Sequence, residues 1–175
     1  MPDYLELVKR IKLRDDHAFD ILYEDTKYSV FSIIFAIVKD RYVAEDLMQD
    51  TYMKMLQAIH QYNGKAKFKT WLLTIAKNLA IDYYRKNARV TTLDLQLDEY
   101  LLPSHDDRSY EKLESEMYLN VLDIEERQIV LLKVVSELKH HEIAKIVGKP
   151  LGTVMWIYNK AIKKMQKLGE EDSNA

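Results

Sequence analysis

Apolar residues recur along most of this chain at steps of three and four, and that spacing confines it to helices buried along one face. Ala44, Leu47, Met48, Thr51, Met55 and Ile59 show the pattern, and Phe68, Trp71, Leu72, Ile75, Leu79 and Tyr83 repeat it. Only four Gly and three Pro occur among 175 residues, too few for the tight turns of a sheet protein. The predicted fold is all-α: two small helical modules joined by a linker, the second a helix-turn-helix.

The first module is placed at residues 1–89. Asp3 and Glu6 have capping-box spacing, and Leu5, Val8, Ile11 and Leu13 follow as a short amphipathic helix ending near Arg14. A second helix starts at Asp15 or Asp16 and carries an apolar run from Val30 to Val38 broken only by Ser32. That run is far shorter than the roughly 18 to 20 residues that cross a bilayer, so it reads as a buried helix. Lys39-Asp40-Arg41 separates it from a third helix, and the loop Gln61 to Lys65 leads into a fourth. Residues 90–109, with Pro103 and scattered acids, read as a linker with at most a helical turn. The second module is placed at 110–169, and the polar residues 170–175 as a frayed tail.

The net charge of −2 hides a segmented distribution. Lys65, Lys67, Lys69, Lys77, Arg85, Lys86 and Arg89 face only Asp82 in their stretch, while Lys145, Lys149, Lys160, Lys163, Lys164 and Lys167 lie in a stretch without acids. Between them stand Asp94, Asp98, Glu99, Asp106, Asp107, Glu111, Glu114 and Glu116. Two basic modules therefore flank an acidic connector.

Three constellations are candidates for function. In the first, Ala144 permits close helix crossing, Gly148 a left-handed turn and Val154 inward packing, which is the spacing of a helix-turn-helix between Glu125 and Leu168. Its last helix would offer its N-terminal residues to a major groove; a plain three-helix bundle with a solvated lysine face is the other reading. In the second, Phe68, Lys69, Trp71, Lys77, Tyr83, Tyr84, Arg85 and Lys86 interleave rings with cations, as single-strand binding requires, although several rings also lie at core spacing. In the third, Asp46, Gln49, Asp50 and Met53 share one face of the third helix, either a partner surface or a solvated face.

The start of the chain lacks the basic and apolar segments of a secretory signal, and the absence of Cys suits a reducing cytosol, so a cytoplasmic location is expected. His140-His141-Glu142 lacks the second histidine of a zinc helix, and no phosphate loop or nucleophile elbow is present. Neither an enzyme, a metal, a cofactor nor a small-molecule substrate is expected.

These motifs together resemble the extracytoplasmic-function class of RNA polymerase sigma factors. Ala44-Glu45-Asp46-Leu47-Met48-Gln49-Asp50-Thr51-Tyr52 is similar to the family's region 2.2 helix, and Phe68 to Asn78 with Asp82 and Arg85 is similar to regions 2.3 and 2.4. Glu126-Arg127-Gln128, Glu142-Ile143-Ala144, Gly148 and Gly152-Thr153-Val154 resemble region 4. The resemblance implies that Asp46, Gln49, Asp50 and Met53 meet the clamp helices of the polymerase β′ subunit. It implies that Asn63, Lys65, Lys67, Phe68, Trp71, Asn78, Asp82 and Arg85 serve the minus-ten element, some as scaffold. The last helix, through Thr153, Met155, Trp156, Asn159, Lys160 and Lys163, would read the minus-thirty-five element. Core polymerase, promoter DNA and an anti-sigma protein are the implied partners. A stand-alone helix-turn-helix regulator and a helical adaptor are the rival readings, and neither needs the aromatic-basic helix after Phe68.

One stretch departs from the family. Where a basic and polar run usually follows Gly-Thr-Val, this chain has Met155-Trp156-Ile157 and then Tyr158 in place of a usual Leu. Such a face cannot supply the paired donors that read guanine, and it is expected either to favour A·T-rich sequence or to double as a protein interface.

Overall fold

The computed structural model describes residues 2–91 and 119–173. Among them the regular structure is helical: α1 Tyr4–Lys12, α2 Asp16–Val38, α3 Arg41–Ala58 with a 3-10 turn Ile59–Gln61, and α4 Phe68–Thr91; then α5 Ile124–Val134, α6 His140–Val147 and α7 Leu151–Ser173. The expected helices are present, with shifted ends. Leu13 caps α1, so Arg14 falls outside it with a positive φ of 63°. Helix α4 runs to Thr91 where the first module was expected to close near Arg89, and α7 continues as helix to Ser173 through residues expected to fray. Beyond Thr91, the acidic connector and the helical pattern expected from Tyr110 lie outside the described residues up to 118.

Local chemistry starts the helices where the sequence places them. Asp3 accepts from the N–H groups of Leu5 and Glu6, Asp15 from that of Ala18 and Asp40 from that of Val43, each satisfying a donor that the first turn leaves free. Asp123 and Glu126 form a reciprocal capping box at the start of α5, at 2.8 and 3.1 Å.

Helix α2 is the hub. It packs against α1, α3, α4 and α5, and Leu22, Val30, Ile33 and Ile34 are fully buried. Its polar core positions are satisfied: the Thr26 hydroxyl bonds the Leu22 carbonyl at 2.7 Å and meets the Tyr52 hydroxyl at 2.8 Å. The Tyr4 hydroxyl donates to Asp25 and ties α1 to the same helix.

The two modules are docked on each other. α5 lies on α2 and α6 on α4, and one apolar cluster runs from Leu22 and Leu72 through to Ile129, Ile143 and Val154. Two cations cross the seam to main-chain carbonyls. Buried Arg127 donates to the carbonyls of Leu119 at 3.1 Å and Leu122 at 2.9 Å in its own module, and to Ala36 at 3.1 Å in the last turn of α2. Lys77 of α4 donates at 2.7 Å to Ile146, in the last turn of α6. The last four carbonyls of a helix have no partner within it and carry its negative pole, so a cation aimed at them is well placed.

Gly148 ends α6 in the left-handed conformation, φ 71°, with its N–H on the Ala144 carbonyl at 2.9 Å. An alanine there has no clash to make but must hold a backbone angle that a Cβ disfavours. Gly148→Ala is expected to lower stability by roughly 1–2 kcal/mol in urea unfolding. Arg127→Met, which strands buried carbonyls, is expected to cost about 2–4 kcal/mol in the same assay.

Candidate nucleic-acid and partner interfaces

Helix α3 sorts its residues sharply. Ala44, Leu47, Thr51, Tyr52 and Met55 face α2 and α4, leaving Asp46, Gln49, Asp50 and Met53 exposed along the opposite side. Met53 is 60% exposed, an apolar side chain one turn beyond Asp50. The structure extends this stripe at both ends: Tyr42 is 72% exposed and Leu56 is also exposed, four residues before Asp46 and three after Met53. The sequence reading missed both, although their three- and four-residue steps from the stripe were visible.

The loop before α4 is held by its own backbone and side chains. Tyr62 is buried and its hydroxyl donates to the Ala66 carbonyl at 2.6 Å, Gly64 takes φ 74°, and the Asn63 side chain accepts from the Lys65 N–H at 3.1 Å. Asn63, Lys65 and Lys67 are exposed on its rim. Phe68 is buried, with its ring centroid 5.5 Å from Tyr4, 5.4 Å from Tyr62 and 5.6 Å from Trp71. It packs the loop and braces half-buried Trp71; Asn78, Asp82, Tyr84, Arg85, Lys86 and Asn87 of α4 are exposed.

Part of this basic face is engaged by the second module. Lys67 lies 2.9 Å from Glu142, which is in the first turn of α6 and accepts from the Lys139 N–H at 2.9 Å. Burial pushes the Glu142 carboxyl up, but the Lys67 and Lys139 bonds outweigh it and hold the group below its ordinary range. Lys77 is half-buried on the Ile146 carbonyl; burial, then the charge of Arg85, holds its ammonium below the usual lysine range.

In the second module α6, Gly148 and α7 form the helix-turn-helix. Val154, Ile157 and Ala161 bury one side of α7, and Thr153 is half-buried while Met155, Trp156, Asn159, Lys160 and Lys163 are exposed. Lys160 stands 5.4 Å from the centre of the Trp156 ring.

Lys160 and Lys164 also share a partner to which the sequence reading gave no role beyond its place in the region 4 motif: Glu126, which is 1% exposed, 3.0 Å from Lys160 and 2.6 Å from Lys164. A buried carboxylate is tolerated only when paired in this way. That motif and the Asp123–Glu126 spacing, which marks a cap, gave no sign of an ion pair across to α7.

Family models match over both modules, Sigma-70 region 2 at residues 22–90 and Sigma-70 region 4 at residues 114–165. The chain is 31% identical over 135 residues to the ECF RNA polymerase sigma factor SigM of Bacillus subtilis strain 168, covering 74% of this chain and 81% of the relative. The chain belongs to the extracytoplasmic-function class of RNA polymerase sigma factors. This sigma factor is also 28% identical over 164 residues to SigX of the same organism, covering 87% and 84% of the two chains.

Its fold is shared with a sigma factor, RpoE, solved with the anti-sigma factor NepR from Bartonella quintana. That match has a TM-score of 0.75 and 22% identity, over 87% of this chain and 96% of that one. CnrH, solved with the cytosolic domain of CnrY, matches at 0.71 and 19% identity, over 95% and 96%. The α3 stripe and the α4 face lie within the region 2 match, and the helix-turn-helix within the region 4 match.

Among the described residues no helix is long and apolar enough to cross a membrane, and no cluster of His, Cys, Asp and Glu could hold a metal ion.

Glu126 makes the pH dependence of this sigma factor specific. Burial pushes its carboxyl up, but the bonds from Lys164, the Asp123 N–H and Lys160 overcome that and hold it at about 2. The unfolded carboxyl binds protons at a higher pH, so the contribution of Glu126 to stability is full above the ordinary carboxylate range and is lost as pH falls through it toward about 2. Urea unfolding from pH 7 down to pH 3 should show stability falling. Glu126→Gln should start lower at pH 7 and lose less over that interval.

Proposed function

We propose that this sigma factor docks on core RNA polymerase through the α3 face of Asp46, Gln49, Asp50 and Met53, extended by Tyr42 and Leu56. The observation that carries this reading is the stripe itself: an exposed run of apolar and acidic side chains on one side of a helix whose other side is core. Exposed Met and aromatic groups between charges suit a specific protein contact better than a solvated face.

The loop residues Asn63, Lys65 and Lys67 and the α4 residues Trp71, Asn78, Asp82 and Arg85 then serve opening and capture of the minus-ten element, with Phe68 holding Trp71 and the loop in place. Thr153, Met155, Trp156, Asn159, Lys160 and Lys163 of α7 serve the minus-thirty-five duplex. Module limits of 1–89 and 110–169, with an acidic connector at 90–109, fit this division of labour. Because Lys67 and Lys77 are held by α6 when the modules are docked, engagement of DNA by these two lysines requires the modules to part, while Asn78, Asp82 and Arg85 are exposed already. An anti-sigma protein is a partner suited to holding them together, in keeping with the partners in the two structures of similar fold. The protein works in the cytoplasm as a binding factor with no reaction, cofactor or small-molecule substrate of its own.

Purified chain mixed with bacterial core polymerase should co-elute as one complex. Asp46→Ala with Gln49→Ala should weaken that complex at least about tenfold, equivalent to about 1.4 kcal/mol, while leaving the helical signal in circular dichroism unchanged. Failure of well-folded wild-type protein to bind core polymerase would overturn the docking assignment.

A further inference from the structure

Over its first turns α7 leaves a surface with an unusual makeup. Leu151, Gly152, Met155, Trp156 and Asn159 are exposed in steps of one and three residues, which sets them on one face, while Val154 and Ile157 between them are buried. None of the exposed residues is charged, and Asn159 is the one among them with a side-chain amide. α7 contains no arginine. Its first cation, Lys160, is engaged twice, 3.0 Å from Glu126 and 5.4 Å from the Trp156 ring, and Lys164 lies 2.6 Å from the same Glu126. The charged part of the helix is thus set back from its N-terminal end, and Lys160 and Lys164 are turned toward a buried carboxylate while Lys163 stays exposed.

Gly152 adds an independent observation. Its φ lies outside the left-handed region, and a Cβ built there meets no atom within 4 Å. Nothing inside the molecule requires glycine at this position, and glycine is a poor helix former. A missing side chain that the fold does not use leaves room for something approaching from outside, beside Met155 and Trp156.

We infer that this face is built to read A·T base pairs: Leu151, Met155 and Trp156 pack on thymine methyl groups, Asn159 pairs with the edge of an adenine, and Gly152 lets the helix backbone come close to the groove. In the major groove thymine alone presents a methyl, adenine presents the donor and acceptor that an amide matches, and guanine presents two acceptors that call for a guanidinium or a lysine. This face offers the first two and withholds the third. The inference rests on the reading that α7 enters the minus-thirty-five groove, and it adds which bases are selected there.

The test uses holoenzyme assembled from the full chain and core polymerase, selecting from duplexes randomised upstream of a fixed minus-ten region. Enriched minus-thirty-five elements should be A·T-rich with no invariant G·C pair. In an enriched duplex each thymine-to-uracil change, which removes only the methyl, should weaken binding about fourfold. Met155→Ala and Trp156→Ala should abolish that sensitivity without altering core binding, and Gly152→Ala should weaken DNA binding while the thermal midpoint holds or rises. An invariant guanine, or uracil substitution without effect on a duplex whose binding depends on Lys163, overturns the inference and leaves the DNA-facing reading intact. Binding that ignores Lys163, Met155 and Trp156 altogether, with core binding retained, overturns both.

Discussion

The arrangement of this molecule depends on cations placed at the ends of helices that belong to the other half. Arg127 reaches the last turn of α2, and Lys77 the last turn of α6. A helix end buried without partners for its free carbonyls is unfavourable, and a charged donor there satisfies both the hydrogen-bonding need and the helix dipole. Each module therefore completes a helix of its neighbour. Burial lowers the proton affinity of both donors, and for Lys77 the charge of Arg85 adds to that, a sign that the contacts are drawn partly out of water and gain strength from it.

From those two placements the remaining geometry follows. With α5 against α2 and α6 against α4, Glu142 arrives beside Lys67, and the apolar cluster becomes common to both modules. The surfaces left outside are the α3 stripe, the far side of α4 and the outer face of α7. The docked protein thus presents all three, and keeps engaged the part of α4 around Lys77 that faces α6. Along α7 the uncharged residues 151–159 precede the lysines, of which Lys160 and Lys164 are held by Glu126.

Much of this was legible in the residues themselves. The apolar steps of α3 and α4 placed those helices, Gly148 marked the turn because only a left-handed residue ends α6 there, and the Asp46 to Met53 stripe emerged exposed as its spacing implied. Phe68 was harder, since an aromatic between lysines has the same signature whether it stacks on bases or, as here, packs against Tyr4, Tyr62 and Trp71. The helical course of residues 170–173 was hidden by their polarity, because continuation of an established helix needs no apolar face. Docking of the modules was not legible at all. Arg127 stood in a motif, but a guanidinium aimed at carbonyls pairs with no acidic residue that a reader could look for.

That last feature bears on how such an interface changes over generations. The acceptors at Ala36 and Ile146 are main-chain oxygens, which every amino acid carries, so substitutions at those two positions leave the hydrogen bonds available. At these two contacts selection falls on the donor alone, whereas the Lys67–Glu142 pair needs a particular side chain on each half. Among descendants of this chain, sequence drift at the ends of α2 and α6 is compatible with both hydrogen bonds, and contacts of this kind leave almost no trace of correlated variation.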